Sequence, residues 1–373
     1  MEFPQRFAIM MSSEAIGGLE RYLVDLAVAM KRTSCEPTLL NLKSKTPYEA
    51  DLRSAGVTLH ASLAPSRFSA SGPTALLRLL RTCAPDVLLI GVNRQAMLLG
   101  APLGRLCQVP VTALYSHTHM GQHRFTLRVA ARLVDAVVAA GDRHRSYLSG
   151  LVRHGHVVSI CPGLNLQRTS AAGDIGDTPR GSESPSIAIV AALRPEKDHG
   201  TFLRAAAIVK EHLSQAQFLI IGDGAARSTL EGLARSLAID RCTQFLGWRT
   251  VGGELLKQID VLVLASISEV FPAVIIEAFG AGVPVVATDV GSVSELMGAE
   301  EACGLLVPPR EPSQLAAAII RVVQEPGLAR AMSNNARVRA QLFTAERFCS
   351  DMLGLARQIR ANKADRASGP ENR

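Results

Sequence analysis

The chain has 373 residues, of which 47% are hydrophobic and 20% charged, and its formal net charge is +7. This length exceeds the roughly 250–300 residues at which a single core stops growing, so two domains are expected. The apolar runs are far shorter than the ~18 residues that span a bilayer, and no signal peptide is recognisable, so a cytoplasmic protein is expected. The seven scattered cysteines contain no C-x-x-C pair, which argues against a disulfide framework or a zinc site.

Residues 1–166 are predicted to alternate between strands and helices. The first strand, at 7–11, is followed by a glycine-containing loop and an amphipathic helix. Further strands are predicted at 38–42, 87–90, 111–114, 136–139 and 157–160. Such alternation is typical of a parallel sheet with helices on both faces. An α/β, doubly wound, Rossmann-like N-terminal domain is therefore predicted.

A linker and a second domain of the same kind are predicted next. Residues 167–186 have no apolar periodicity and are rich in Gly, Ser, Pro and Asp, which indicates an exposed loop. In the domain at 187–343, strands are predicted at 187–191, 218–221, 243–246, 261–264 and 285–287, and helices at 200–213, 227–238, 272–281 and 311–323.

The end of the chain is predicted to form one more helix and a tail. The helix at 344–361 begins after Thr344 as N-cap and is expected to pack back on the N-terminal domain, and the polar tail at 362–373 is expected to be disordered. In bilobed α/β proteins, ligands bind in a crevice at the carboxyl ends of the strands. Candidate ligand-binding residues are therefore sought where predicted strands end.

Two glycine pairs stand between a strand and a helix. Gly17 and Gly18 precede the first helix, and Gly222 and Gly224 belong to a turn in the second domain. Glycine allows close approach of the backbone to a ligand, and a helix N-terminus favours negative charge, although a plain tight turn explains both pairs equally well. The first pair does not form G-x-G-x-x-G, which disfavours an NAD-dependent dehydrogenase.

An anion site is predicted in the second domain. Arg194 and Lys197 follow its first strand, where they suit a phosphate, with solvated surface charge as the alternative. Pro272 suits the first helical position, so the unsatisfied amides of that helix terminus would face the same crevice as Lys197. The residues of this terminus are Val270, Phe271, Pro272, Ala273 and Val274.

Two glutamates flank this helix terminus, eight positions apart (277 − 269 = 8). Glu269 precedes the helix, and Glu277 lies within an apolar helical segment, where an unpaired buried carboxylate is costly. Beside an anion site, carboxylates suit the hydroxyl groups of a ribose or a hexose. A helix-terminal Glu and a buried structural Glu are the alternative, which explains Glu269 better than Glu277.

His117 and His119 follow the predicted strand at 111–114, at the crevice edge of the first domain. With His123 nearby they could bind a metal, but no acid or cysteine completes a ligand set. A hydrogen bond from one histidine to a substrate hydroxyl or phosphate is favoured, and a structural role remains the alternative.

A basic stripe follows these histidines. Arg124, Arg128 and Arg132 recur every four residues, beside an apolar stripe of Phe125, Val129 and Leu133. A solvated helix face is one interpretation. The other is docking to an anionic membrane surface or a lipid phosphate.

Several segments together resemble one enzyme family over nearly the whole chain. They are GGLERYLVDLA, ALRPEKDH, IIGDGAARSTLEGLA, FLGW, SISEVFPAVIIEAFGAGVPVVATDVGSVSEL and CGLLVPP, and the Glu-x7-Glu pattern is the most specific among them. The chain resembles the retaining glycosyltransferases of family 4, glycosyl transferases group 1. The resemblance implies the GT-B fold, with two Rossmann-like domains facing an interdomain cleft.

The resemblance also implies roles for individual residues. Glu269 would contact hydroxyls of the donor sugar, Glu277 the ribose, Lys197 with Arg194 the diphosphate, and His117 the sugar. Backbone contacts near Gly247 and Trp248 would bear on the choice of base. It implies a nucleotide diphosphate sugar as co-substrate and no cofactor, and the chain has no Asp-x-Asp pair to hold a metal ion.

The chain departs from the family pattern at a few positions. Ala192 stands where an arginine is commoner, so Arg194 is a displaced candidate for the diphosphate. Val270 and Ser292 replace frequent glycines, and Val270 is expected to narrow the pocket beside the donor sugar. Gly163 and Asn165 stand in a segment that more often reads Asn-Gly-x-Asp or Pro-Gly-x-Asp.

The function expected from these observations is sugar transfer with retention, from a UDP- or GDP-sugar to a hydroxyl of a glycan or lipid-linked acceptor. Bacterial surface polysaccharide synthesis at the inner face of the membrane is the expected context, because residues 105–153 are basic. Nucleic acid is not an expected partner. A nucleotide-sugar epimerase of the same fold and a non-catalytic nucleotide-sugar-binding subunit are the alternatives.

Overall fold

A computed structural model describes residues 6–12, 17–64, 71–117, 123–152, 156–168, 184–249, 252–298 and 303–367. The chain divides into two compact units. Unit 1 contains Met1–Asn165 and Thr344–Arg373, and unit 2 contains Leu166–Phe343. His119 and most of the predicted linker lie outside the described residues.

Unit 1 is a seven-stranded parallel sheet with the order β3-β2-β1-β4-β5-β6-β7. Its strands are β1 (Arg6–Met11), β2 (Glu36–Asn41), β3 (Thr58–His60), β4 (Val87–Gly91), β5 (Val111–Ser116), β6 (Ala136–Ala139) and β7 (His156–Ser159). Its helices are α1 (Gly18–Lys31), α2 (Glu49–Ser54), α3 (Gly72–Cys83), α4 (Arg94–Leu106), α5 (Arg124–Ala131), α6 (Asp142–Leu151) and α14 (Ala345–Ala367).

Unit 2 repeats this plan with six parallel strands in the order β10-β9-β8-β11-β12-β13. The strands are β8 (Ser186–Val190), β9 (Gln217–Ile221), β10 (Thr243–Gly247), β11 (Val261–Leu264), β12 (Val285–Thr288) and β13 (Gly304–Val307). The helices are α7 (His199–His212), α8 (Arg227–Ser236), α9 (Gly253–Leu256), α10 (Ala273–Gly280), α11 (Val293–Met297), α12 (Pro312–Gln324) and α13 (Pro326–Ala340).

In both sheets the strand order reverses once, and this switch point opens a crevice at the carboxyl ends of the strands in each unit. In unit 1 the chain runs outward from β1 to β3 and then returns to β4 on the other side of β1. In unit 2 it runs from β8 to β10 and returns to β11 on the other side of β8. Ligands of doubly wound proteins bind at the carboxyl ends of the strands at such a switch point. Fully buried central strands such as β4 and β11 fit sheets with helices on both faces.

The C-terminal helix α14 belongs to unit 1. Thr344 caps it as predicted, since its Oγ1 accepts a hydrogen bond from the amide of Arg347 at 3.2 Å. The prediction of a disordered tail is wrong for residues 362–367, because these residues continue the helix. The cause is a tertiary contact: Lys363 Nζ lies 2.6 Å from Asp135 Oδ1 and donates to the carbonyl of Pro110 at 2.8 Å.

Candidate functional site

The ends of β8 and β11 bring a lysine and a glutamate together in unit 2. Lys197 ends a single turn of 3-10 helix, Pro195–Lys197, that follows β8, and Glu269 lies in the loop after β11. Lys197 Nζ lies 2.5 Å from Glu269 Oε1, with the Glu269 side chain buried and that of Lys197 25% exposed. These two predicted site residues, 72 positions apart, therefore form one ion pair at the switch point of the sheet.

Two residues that the sequence analysis did not select hold Glu269 in place. Ser266 Oγ donates to Glu269 Oε1 at 2.7 Å, and the carbonyl of Ser266 accepts from Thr288 Oγ1 at 2.6 Å. Ser266 and Thr288 are buried, so these hydrogen bonds are shielded from water. The end of β12 thereby braces the loop that carries Glu269.

The loops after β11 and β12 are in backbone contact. Gly291 has a φ of +54°, and a Cβ at this position would overlap the carbonyl oxygen of Glu269. The next residue, Ser292, donates its amide to the carbonyl of Val270 at 3.0 Å. A glycine at position 291 is therefore required for the geometry of Glu269, a requirement that the sequence analysis missed.

Gly222 and Gly224 hold the loop after β9 against the loop after β8. Gly222 has a φ of +144°, and a Cβ there would overlap the carbonyl oxygen of Ala191. A Cβ on Gly224 would lie 2.7 Å from the carbonyl oxygen of Leu193. The need for glycine is thus explained by contact with protein backbone, and a contact of these residues with a ligand stays a prediction.

The start of α10 differs in detail from the expectation. Pro272 is the N-cap rather than the first helical residue, because its ψ of 115° is extended and the helix begins at Ala273. Val270 and Phe271 are buried, and the Phe271 ring lies 5.7 Å from that of Phe343. The buried side chains of Val270 and Phe271 therefore anchor the N-terminus of α10 in the core of unit 2.

Glu277 is half-buried, so its carboxylate is less enclosed than its apolar sequence neighbours suggest. It lies in the second turn of α10, between the buried residues Ile276 and Ala278. Partial exposure lowers the cost of its charge compared with full burial. Its assignment to a ribose stays a prediction.

Arg194 differs from Lys197 in its surroundings. Its side chain is 63% exposed, and Nη1 lies 3.9 Å from Glu196 Oε1. An exposed ion pair of this length contributes little to stability. Arg194 therefore lies close to Lys197 in sequence with its guanidinium in solvent.

Gly247 and Trp248, the remaining residues predicted to bind the donor nucleotide sugar, lie at the end of β10. The carbonyl of Gly247, which has a φ of +67°, accepts from the amide of Gly222 at 2.8 Å, so the ends of β9 and β10 are joined. Trp248 follows with its indole exposed. An exposed Trp at the carboxyl end of a strand offers a flat apolar surface beside the glycine turn.

In unit 1, the predicted glycines and His117 follow strands at their carboxyl ends, whereas the three predicted arginines belong to α5 and its C-cap. Gly17 is the N-cap of α1 and Gly18 its first residue. His117 follows β5, and its ring lies 5.0 Å from that of Tyr22 on α1. Arg124, Arg128 and Arg132 are exposed, and Arg128 Nε donates to the carbonyl of Leu151 at 3.0 Å.

Next to Lys197, His199 is a buried histidine that the sequence analysis did not select. Burial is the main cause that lowers its pKa from 6.5 to about 4, and the positive charge of Lys197 acts in the same direction, while the Ala191 backbone and Asp198 oppose the shift. His199 is therefore neutral at physiological pH. Its neutrality avoids a buried cation beside Lys197.

Neither a metal-binding cluster nor a membrane-spanning helix occurs in the described ranges. They contain no group of three or more His, Cys, Asp and Glu side chains that could hold a metal ion. Among the same residues, no helix combines the length and the apolar character needed to cross a bilayer.

Two family models match the chain, one in each half. The model described as Glycosyltransferase Family 4 matches residues 16–168, and the model described as Glycosyl transferases group 1 matches residues 174–339. The chain belongs to glycosyltransferase family 4. The resemblance inferred from the sequence motifs is thereby confirmed.

Curated relatives match part of the chain. It is 31% identical to a D-inositol 3-phosphate glycosyltransferase of Actinosynnema mirum over 245 residues, which are 61% of this chain and 58% of the relative. It is 30% identical to an alpha-D-kanosaminyltransferase of Streptomyces kanamyceticus over 182 residues, 48% of this chain and 46% of the relative. The chain spans about half the length of the curated relatives it matches.

Solved structures match nearly the whole chain. HepE of Anabaena, crystallised with UDP-glucose, superposes with a TM-score of 0.79 at 19% identity, covering 96% of this chain and 99% of HepE. Sucrose-phosphate synthase of Thermosynechococcus elongatus superposes with a TM-score of 0.82 at 22% identity, covering 96% of this chain and 100% of that structure. The predicted fold class, with two doubly wound Rossmann-like domains of the GT-B type, is confirmed.

Proposed function

We propose that the protein transfers a sugar from a nucleotide diphosphate sugar to an acceptor hydroxyl, with retention of configuration. The observation that carries the proposal is the ion pair of Lys197 and Glu269 at the switch point between β8 and β11. It combines a cation suited to a diphosphate with a carboxylate suited to sugar hydroxyls. Membership of glycosyltransferase family 4 supports it.

In this proposal Lys197 stabilises the leaving group. The ammonium has three N–H donors, so it can keep its hydrogen bond to Glu269 and still donate another to a phosphate oxygen. A charge-assisted hydrogen bond contributes about 1.5–3 kcal/mol, and the N-terminus of α10 adds about 0.3–1 kcal/mol, or ~2 when partly buried. The two together offset the negative charge that develops as the anomeric C–O bond breaks. No metal ion is required for this step.

Glu269 acts in the proposal as a hydrogen-bond acceptor and not as a nucleophile. Its Oε1 already accepts hydrogen bonds from Lys197 and Ser266, which engage its lone pairs and reduce its nucleophilicity. The acceptor hydroxyl therefore attacks from the face that the diphosphate leaves, and the departing phosphate takes its proton. This course retains the configuration at the anomeric carbon.

The donor is proposed to be a UDP- or GDP-sugar, with Glu277 on the ribose and the segment from Gly247 to Trp248 beside the base. HepE was crystallised with UDP-glucose, which supports the uridine class. The acceptor is proposed to be a glycan or a lipid-linked glycan of the bacterial surface. WaaG, a structural neighbour described as involved in lipopolysaccharide biosynthesis, supports this context.

Ligand-dependent thermal stability tests the donor assignment. UDP-, GDP-, ADP- and dTDP-sugars are added in excess chelator to the wild type and to Glu277→Ala. A ligand at a hundredfold excess over Kd adds about 2.7 kcal/mol to the free energy of unfolding. One nucleotide series is expected to stabilise the wild type and to fail on Glu277→Ala. If no nucleotide-sugar series stabilises either protein, the proposal is contradicted.

The alternatives differ in their products. An epimerase interconverts free nucleotide sugars without an acceptor, and a binding subunit is stabilised by the donor but releases no nucleoside diphosphate. Chromatography of the nucleotides after incubation therefore separates them from a transferase. The transferase is expected to release nucleoside diphosphate.

A further inference from the structure

Exposed apolar side chains of unit 1 are concentrated on two neighbouring helices. Among the described residues of this unit, all the large hydrophobic side chains that are exposed lie on α4 and α5: Leu98, Leu106, Phe125 and Val129. The helices pack against each other. Phe125 is 78% exposed. We call the exposed residues of these two helices, together with Arg132 at the end of α5, the α4–α5 face.

The same face is free of negative charge. Residues 87–134 contain no Asp, no Glu and no Lys but five arginines, so their formal charge is 5 − 0 = +5. All five arginines are exposed: Arg94, Arg105, Arg124, Arg128 and Arg132. Of the apolar stripe expected at Phe125, Val129 and Leu133, only Leu133 packs against the core. The buried side of α5 consists of Leu127, Ala130 and Ala131.

Exposed aromatic and aliphatic side chains among arginines are typical of helices that lie in a membrane interface. Arginine keeps its guanidinium in the headgroup region while its stem covers apolar surface. A solvated helix face explains the arginines, but it leaves Phe125 in water without any gain. A symmetric contact with a second copy would place this positive surface against itself, which is unfavourable.

We propose that the α4–α5 face docks the protein on an anionic lipid bilayer. Phe125, Val129 and Leu98 enter the interface, and the arginines bind lipid phosphates. The proposal rests on the proposed function and, of its two acceptor classes, favours the lipid-linked glycan. It uses residues in unit 1, apart from the donor residues Lys197 and Glu269, so it can be tested without any sugar transfer.

Co-sedimentation with vesicles tests the charge requirement. The full chain is mixed with vesicles of phosphatidylcholine alone or with about 30% phosphatidylglycerol, whose negative surface attracts basic residues. Sedimentation is expected only with the anionic vesicles, and about 0.5 M NaCl is expected to weaken it because salt shortens the Debye length. Absence of sedimentation, or equal sedimentation with neutral vesicles, would overturn the proposal.

Substitutions on the face, each with a matched control, test the residues. Arg124/Arg132→Ser is expected to lower vesicle affinity about 30-fold, which corresponds to about 1 kcal/mol for each arginine. Arg128 is left intact because it holds the carbonyl of Leu151. The control Arg235/Arg330→Ser removes two exposed arginines of unit 2 and the same net charge. It is expected to change the affinity less than about threefold, because it leaves the α4–α5 face intact.

The apolar part of the face is tested in the same way. Phe125→Ser is expected to lower vesicle affinity at least about tenfold. Its control is Val338→Ser, which removes an apolar side chain that is 74% exposed on α13 of unit 2. Equal affinities of the two variants would overturn the proposal. The proposal would also be overturned if the wild type were a dimer and Phe125→Ser converted it to a monomer. The α4–α5 face would then contact a second copy of the chain and not a bilayer.

Donor binding by the same variants separates this proposal from the proposed function. Phe125→Ser and Arg124/Arg132→Ser are expected to keep the stabilisation by the nucleotide sugar and to lose only vesicle binding. A chain that binds anionic vesicles but no nucleotide sugar would contradict the proposed function and leave the membrane docking intact. A chain that binds a nucleotide sugar but no anionic vesicles would contradict the membrane docking and leave the proposed function intact.

Discussion

Gly291 and Glu269 are in backbone contact at the ends of β12 and β11, and this contact fixes the carboxylate that pairs with Lys197. The φ of +54° at Gly291 and the lack of a Cβ let the two loops meet. The position of Glu269 thus depends on a residue 22 positions away (291 − 269 = 22) that carries no functional group.

Gly291→Ala is predicted to destabilise the protein by more than about 2 kcal/mol, because the added Cβ overlaps the Glu269 carbonyl in a left-handed conformation. Urea unfolding measures the change. Gly354→Ala is the control, since nothing lies within 4 Å of its Cβ position on α14. It is predicted to stabilise the protein by about 0.5–1 kcal/mol. Equal effects of the two substitutions would contradict the assigned role of Gly291.

Lys197→Gln is predicted to lower kcat about 100-fold or more, because it removes the cation that stabilises the leaving diphosphate. Arg194→Gln is the matched control. Its guanidinium is 63% exposed and only weakly held by Glu196, so a decrease below about tenfold is predicted. Steady-state kinetics with the donor varied checks both variants. A larger loss for Arg194→Gln would show that the displaced arginine, and not Lys197, is the main diphosphate ligand.

Ser266→Ala is predicted to lower kcat/KM for the donor about tenfold, since it removes one hydrogen bond to Glu269 Oε1, worth about 1–1.5 kcal/mol. Ser266 acts as a positioning residue through Glu269. In a Glu269→Ala background the same substitution is predicted to have almost no further effect on kcat/KM. A full tenfold loss in that background would show that Ser266 acts independently of the glutamate.

Acid stability is predicted to depend on His199. Burial lowers its pKa in the folded state from 6.5 to about 4, so the unfolded chain binds more protons between these values. Stability is therefore full above pH 6.5 and falls as the pH decreases toward 4. This group alone is predicted to cost about 2 kcal/mol between pH 7 and pH 5. Urea unfolding at both pH values should give a smaller difference for His199→Gln than for wild type, and an unchanged difference would contradict the assignment.

The central strands of both sheets and the positions of Lys197 and Glu269 beside one crevice follow from the sequence pattern, whereas their ion pair was not predicted. Apolar runs predict the buried strands, and charged residues at strand ends predict the crevice. The edge strands β3 and β13 were not predicted, and β3 has only three residues, which are too few to show a periodicity. The roles of Ser266, Thr288 and Gly291 could not be predicted, since each arises from a contact between loops that are distant in sequence.

Tertiary contacts also explain the errors at the ends of helices. Lys363 extends α14 through the segment expected to be disordered because Asp135 and the Pro110 carbonyl hold it. The spacing of Phe125 and Val129 predicts a helix stripe but not its environment. Leu127, Ala130 and Ala131 occupy the buried side of α5, which leaves Phe125 in solvent.

Retaining transfer from a nucleotide sugar is tested most directly by proton NMR of slow donor hydrolysis, with water as acceptor. The donor is the nucleotide sugar that stabilises the wild type, with an α-linked sugar such as that of UDP-glucose, and excess chelator is present. We predict that the α-anomer of the free sugar appears first, together with nucleoside diphosphate, and that Lys197→Gln abolishes both products. First release of the β-anomer, or a reaction that chelator stops and a divalent ion restores, would contradict the mechanism.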